Sequence, residues 1–300
     1  MKSKFLLLPV IVMVLFANTV NAKSQVLLRL NLQKGSIYEM HMHVTSNIEQ
    51  NMMGQNMKIV QRMEMILSYK VTDVLPNKNY QIEYSVNSMK LDVDINENSM
   101  SFDSQNPDES NPMGTILKTI NKMKVTFELT PSGKTEQVNG LDEITSQIAS
   151  NPQMAQALQM FSDDKNFSSF ISETFNYIPE NKIKTGDKWT TQFKLPSLMD
   201  ANTTMNFEVT GITKDSVDLN VFSDVNSEGP VEQNGMKIDM KLTGSQTGTM
   251  TVDANDGWVR SSDLNQKFDI HMKLKNPQTG EDMEIPMKVN SVTKSTVEKK

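Results

Sequence analysis

Apolar residues recur at every second position over most of this chain, and a period of two rather than 3.6 dictates half-buried antiparallel strands. Met40, Met42 and Val44 share one face while Glu39, His41 and His43 share the other. Met63, Met65, Leu67, Tyr69 and Val71 repeat the pattern, and so do Val217, Leu219 and Val221, then Met236, Ile238, Met240 and Leu242. Phe268, Ile270, Met272 and Leu274, followed by Met283, Ile285, Met287 and Val289, continue it toward the end of the chain. Tyr80, Ile82, Tyr84 and Val86 keep even phase whereas Met89, Leu91, Val93 and Ile95 are odd, so one extra residue is expected as a bulge near Asn87.

Two stretches leave this period. Asn111-Pro112 fits an N-cap with proline at the first helical position, which predicts a short helix over 112–122. Residues 140–178 are read as helical: Leu141, Ile144 and Ile148 lie on one stripe, Asn151-Pro152 caps a second helix, and Phe167, Phe170, Ile171 and Phe175 form a third stripe. Lys34-Gly35-Ser36-Ile37-Tyr38 and Thr185-Gly186-Asp187-Lys188-Trp189 both set glycine three residues before an aromatic at a strand start. Each half also has a late glycine turn, at Gly133 and Gly257, as a diverged repeat would. The expected fold is α+β: a curved, mostly antiparallel sheet built from two β-meander halves, with short helices on its concave face. One domain over 23–300 is expected, divided into a β half at about 26–138, a helical middle at about 140–178 and a second β half at about 183–297.

Residues 1–22 have the layout of a cleavable signal peptide: Lys2 and Lys4, an apolar run from Phe5 to Ala17, then Val20-Asn21-Ala22 with small residues at the cleavage positions. That run is 13 residues long, short of the roughly 20 that cross a bilayer. The chain has no cysteine, so neither lipid attachment at the cleavage point nor disulfides are expected. Loss of the two leader lysines takes the formal net charge from −6 to −8, which disfavours nucleic acid and anionic membranes as partners. The expected product is soluble and exported, periplasmic or secreted.

The chemistry-bearing residues are sparse. With no cysteine, no Gly-x-Ser-x-Gly and three histidines, nucleophilic catalysis lacks its parts and a non-enzymatic protein without a cofactor is expected. Glu39, His41 and His43 project from one strand face at a spacing able to seat zinc, although a solvated face gives the same pattern. Of 23 methionines, Met1 and Met13 lie in the leader. The cluster Met40, Met42, Met52, Met53, Met57, Met63 and Met65 could offer thioethers to Cu(I), or fill a core. A third reading is a flexible, polarizable surface for apolar ligands of varied shape. Asp253-Ala254-Asn255-Asp256-Gly257 reads as a turn, its glycine one place early for an EF-hand. If the sheet and helices enclose an apolar cavity, its lining is expected from Met40, Met42, Met63, Met65, Tyr84, Phe167, Phe170 and Ile171.

The run from Lys34-Gly35 through Met65, with Tyr38 and Met52-Met53-Gly54-Gln55, resembles an uncharacterised family of exported β-rich proteins from Bacteroidetes-type bacteria. Leu129-Thr130-Pro131-Ser132-Gly133-Lys134 and Val138-x-Gly140-Leu141 belong to the same resemblance, which covers nearly all of the chain after the leader. The order of meander, helical middle and second meander is similar, by architecture alone, to the periplasmic lipoprotein carriers of the LolA/LolB and LppX type. That likeness implies a curved sheet closed by helices over an apolar cavity. The functional expectation is an exported binding or carrier protein for a lipid or acyl chain. The alternatives are an envelope scaffold or interaction protein with a filled core and an exported metal-binding protein.

Overall fold

The computed structural model describes residues 25–300 apart from 53–54, 97, 109, 143–144, 147–163, 196–200, 234–235 and 276–280. The leader at 1–22, most of the Leu141/Ile144/Ile148 stripe and the Asn151-Pro152 cap lie outside the described residues. In chain order the elements are β1 (Ile37–Met52), β2 (Gln55–Val74), β3 (Tyr80–Ile95), β4 (Asn98–Asp103), α1 (Pro112–Lys122), β5 (Lys124–Leu129) and β6 (Thr135–Asn139). They continue with α2 (Asp164–Thr174), β7 (Lys188–Leu195), β8 (Ala201–Ile212), β9 (Ser216–Gln233), β10 (Met236–Asp253), β11 (Val259–Lys275) and β12 (Asp282–Lys299).

All twelve strands join one antiparallel sheet in the order β6-β5-β3-β2-β1-β12-β11-β10-β9-β8-β7, with β4 added on β3. The two meanders are joined by the first and last strands: β1 pairs β12 from Tyr38↔Lys299 to Gln50↔Met287. The extra residue expected near Asn87 is present, since Leu67 pairs Val86 while Ile66 pairs Ser88. Asn111 caps α1 by accepting from the Met113 amide at 2.9 Å.

The sheet is curled. Ile82, Tyr84 and Phe127 from one end of the strand order share a single core cluster with Phe207, Val209, Val217 and Leu219 from the other end. The segment before β1 straps the curl: Val26 bridges Ile183, the Leu30 amide donates to the Pro131 carbonyl, and the Asn31 amide donates to the Asp256 carbonyl. At the seam, the β5–β6 turn (Ser132, Gly133, Lys134) and the edge strand β7 (Lys188–Thr191) line one cavity of about 710 Å³ together with Phe175, Asn176 and residues 178–183. The wall that faces solvent carries charge at alternate positions, as in Lys267, Asp269, His271 and Lys273 on β11, all exposed. A lipid-facing barrel wall has the opposite order, apolar outside and polar inside.

The glycine motifs prove to be a structural repeat. Gly35 and Gly186 both adopt φ of +90°. The Gly35 amide donates to the Val71 carbonyl and the Val71 amide to the Ser36 carbonyl; Gly186, Val209 and Asp187 repeat this arrangement. The sheet then slips register at Val71/Asp73 and again at Val209/Gly211. β1–β2–β3 and β7–β8–β9 are therefore equivalent hairpin sequences, and β12 is the strand inserted where the two meanders join.

On α2, Phe167 and Ile171 face the core while Glu173 is partly buried. Burial pushes the Glu173 carboxyl up from 4.5 to about 7. A carboxyl whose folded pKa lies above its unfolded value contributes stability below about pH 4.5 that is lost as pH rises toward 7. Glu173→Gln should flatten the fall in Tm between pH 5 and 8, by on the order of 1 kcal/mol at pH 8 after discounting for partial solvation. Thermal melts at a series of pH values measure this, and an unchanged slope would contradict it.

Candidate functional site

The register lays the inner face out in tiers. At the closed end Tyr84, Tyr69 and Tyr38 are paired across β3, β2 and β1. Trp258 stacks on Tyr38 at 4.1 Å and 12°, and meets Tyr69 and Phe175 edge-on at 5.4 and 5.0 Å. Phe167 of α2 sits between Tyr84 and Phe127 at 5.8 and 6.0 Å. Two tyrosine hydroxyls at this end have buried partners. Tyr38 Oη donates to Asp256 Oδ2 at 2.9 Å, Lys299 Nζ meets the same oxygen at 2.9 Å, and Tyr177 Oη donates to the Gly257 carbonyl at 2.7 Å. Burial and then the Asp256 charge hold the Tyr38 phenol far above its usual range, so it stays a neutral donor.

Of the expected ligand-lining residues, Tyr84, Phe167 and Ile171 are completely buried in this aromatic floor. Met40, Met65 and Phe170 are partly buried against it. Met42 and Met63 stand farther along and are half-buried. The eight side chains thus run from the floor into the space above it.

Strands of 16–20 residues outrun this floor. At the usual rise β2 alone extends for about 65 Å. Above the floor come Met89–Met65–Met42–Ser295–Ser262–Met250, paired in register across six strands. Two steps farther the tier is polar: Gln61–Ser46–Ser291–Gln266–Gln246–Ser223, again across six strands and continuing through Met205 to Thr191 on β7. Beyond it the face turns apolar once more, with Ile95–Ile59–Ile48–Val289–Phe268 and then Met287–Ile270–Leu242. Ile48, Ile59, Met63, Phe268, Ile270 and Met287 are half-buried, where Leu67, Ile82 and Phe127 of the closed end are fully buried.

Within the polar tier, Ser46 and Ser291 share a hydrogen bond of 2.7 Å and Gln266 Nε2 donates to Gln246 Oε1 at 2.7 Å. Ser262 and Ser295 pair at 2.8 Å in the tier below the intervening one. Reading single strands did not expose this belt, because each polar residue keeps the inward phase and looks like one imperfection. Ser46 between Val44 and Ile48, or Gln61 between Ile59 and Met63, carries the signal only once register sets them at one depth.

The histidine face is arranged differently from the expected trio. His41 Nε2 lies 3.1 Å from Glu39 Oε1, but His43 turns to Glu64 at 3.7 Å. Among the described residues, Glu39, His41 and Glu298 form a group whose ligand atoms fall within 4.8 Å of one another. Lys300 Nζ sits 2.5 Å from Glu39 Oε1, and its hydrogen bond is the main cause holding that carboxyl below its usual range. A metal there would have to displace an ammonium already in place. In the Asp253–Gly257 turn, Asp253 accepts from the Asn255 amide and from Arg260, and Asp256 from Tyr38 and Lys299. The sequence reading of this segment as a turn holds.

No curated protein matches the chain. Among solved structures it is similar to the β domain of the Bordetella autotransporter BrkA, at 6% identity over 88% of this chain and 99% of that one, with a TM-score of 0.24. It is also similar to Pseudomonas aeruginosa OccK5 (OpdH), at 7% identity over 88% and 98%, TM-score 0.23. Pseudomonas aeruginosa OpdQ is a third, at 5% identity over 89% and 100%, TM-score 0.21. Scores this low carry no weight for fold or function. Residues 77–259 match a family of unknown function, DUF6263, and the chain belongs to that family.

Proposed function

We propose that this protein is an exported, non-catalytic binding or carrier protein for an apolar ligand such as a lipid or acyl chain, held against the inner face of the curled sheet. The observation that carries this reading is the half-buried apolar wall of Ile48, Ile59, Met63, Phe268, Ile270 and Met287 beyond the packed aromatic floor. Apolar area left in contact with water costs about 25 cal/mol per Å². A wall of this kind, turned inward and continuous across strands, is what a ligand of matching chemistry would cover. The methionines add adaptability, since an unbranched thioether can follow acyl chains of different length and bend.

Mass spectrometry of organic extracts from protein purified out of its native envelope tests the reading. A lipid or acyl species recovered in stoichiometric amount is expected, on a polypeptide that begins at Lys23. Extracts no richer in lipid than those of an unrelated exported protein would contradict it and leave the envelope scaffold reading in its place.

A further inference from the structure

Three buried polar atoms without a hydrogen-bond partner stand in or beside the polar tier where it reaches the sheet edge: Trp189 Nε1 and Thr191 Oγ1 on β7, and Thr203 Oγ1 on β8. The register puts Thr191 in the tier, Trp189 one inward step toward the floor and Thr203 one step beyond the tier. Trp189 pairs Phe207 and Thr191 pairs Met205, two positions along from Thr203. The Trp189 ring is fixed by stacking on Phe207 at 5.3 Å and 18°, so its N–H cannot swing away to find another partner. Thr203 is only 1% exposed. Leaving such groups unpaired costs about 1–3 kcal/mol each, and native proteins seldom tolerate one without a reason. Here three sit at one end of a belt of hydroxyls and amides, and Trp189 and Thr191 also line the seam cavity of about 710 Å³.

We infer that the β7–β8 end of this belt binds the polar group of the ligand, and that this group is an uncharged carbonyl, an ester or amide, rather than a free carboxylate. The inference rests on the carrier reading above and specifies its cargo. Indole N–H only donates, so its partner must be an acceptor; the two threonine hydroxyls can donate to the same group or to a neighbouring oxygen. The belt from Gln61 to Ser223 and its neighbours Met205, Thr191 and Thr203 contain no cation. A carboxylate at that depth would be a buried, unpaired charge, which costs far more than a carbonyl accepting the same hydrogen bonds. The nearest cations are unsuited to the place. Lys188 turns outward to Glu208 at 3.4 Å, and the Arg29 guanidinium is committed to the carbonyls of Leu28, Pro179 and Glu180. Lys134 of the β5–β6 turn and Lys182 of the segment after α2 line the same seam cavity. The acyl chain of such an ester would then lie along the apolar tiers on either side of the belt.

Calorimetric titration of the full mature protein with 1-monolauroylglycerol and with laurate, both below their aggregation thresholds at pH 8, tests the assignment. The ester should bind at least about tenfold tighter than the acid, the worth of one well-made hydrogen bond. Thr191→Val/Thr203→Val, nearly isosteric, should remove most of that preference by weakening binding of the ester. The same double variant should not lower the Tm of the ligand-free protein, because it deletes unsatisfied hydroxyls rather than contacts. Equal binding of the two ligands, or a preference that survives in the double variant, overturns the inference and leaves the carrier reading standing. Tighter binding of laurate that is lost in Lys134→Gln/Lys182→Gln also overturns it, by placing the headgroup at the cationic rim. Binding of neither ligand overturns the carrier reading and this inference together.

Discussion

Replacing Trp258 by alanine should cost about 3–5 kcal/mol, the range for deleting a large buried aromatic. Trp258 is 2% exposed and contacts three other rings, Tyr38, Tyr69 and Phe175, which come from β1, β2 and the segment after α2. The indole therefore ties the β1–β2 hairpin to the segment after α2. Its loss also unseats the Tyr38 ring, whose hydroxyl otherwise holds Asp256 together with Lys299. Since domains of this kind hold only about 5–15 kcal/mol in total, urea denaturation of Trp258→Ala should show a midpoint displaced by a large part of its range. Trp258→Phe, which keeps a ring in the stack, should recover about half of the loss. A midpoint within error of wild type would mean that the aromatic floor is not the stabilising core.

Gly257→Ala is expected to be nearly as damaging, for a backbone reason. Gly257 has φ of +75°, where a Cβ costs about 1–2 kcal/mol. The added methyl would also be driven into the Arg29 carbonyl and the Leu30 amide of the strap. Relieving that overlap by moving the strap adds about 1–3 kcal/mol. It would also disturb the Asn31-to-Asp256 hydrogen bond and the carbonyl that accepts from Tyr177. Gly186→Ala is the matched control: its φ is +90° but nothing lies within 4 Å of the added carbon, so only the conformational cost of about 1–2 kcal/mol should appear. Thermal melts should therefore place Gly257→Ala well below Gly186→Ala. Equal melting temperatures would show that the strap is not held where the structure puts it. Trp258→Ala and Gly257→Ala disturb one unit and should combine to less than their sum.

The strands were legible because burial on one side forces a period of two, and the bulge at Asn87 was legible because a phase change within one strand has no other local cause. The α1 cap was legible for the same local reason, Asn111 before Pro112. What single strands could not disclose is what depends on register. The β1–β12 pairing joins residues such as Tyr38 and Lys299 from opposite ends of the chain, and no local signal encodes that contact. The polar belt needs five registers at once before Gln61, Ser46, Ser291, Gln266, Gln246 and Ser223 fall into line. Depth was equally hidden: Tyr84 and Met63 look alike as inward residues, yet one is sealed in the floor and the other stands half-buried above it. The histidine face shows the same limit, because Lys300 and Glu298 reach Glu39 and His41 only through the pairing of β12 with β1.

Fluorescence titration with a dansyl-labelled acyl probe tests most directly whether the inner face above the floor holds an apolar ligand. Wild type should show saturable binding with blue-shifted emission. Met63→Lys and Phe268→Lys, placed on the half-buried wall and shown to be folded by circular dichroism, should each weaken it by about tenfold or more, since a lysine there puts charge where apolar surface would be covered. No saturable binding by the wild type, or binding left unchanged by both substitutions, would contradict the assignment of that wall as the ligand site.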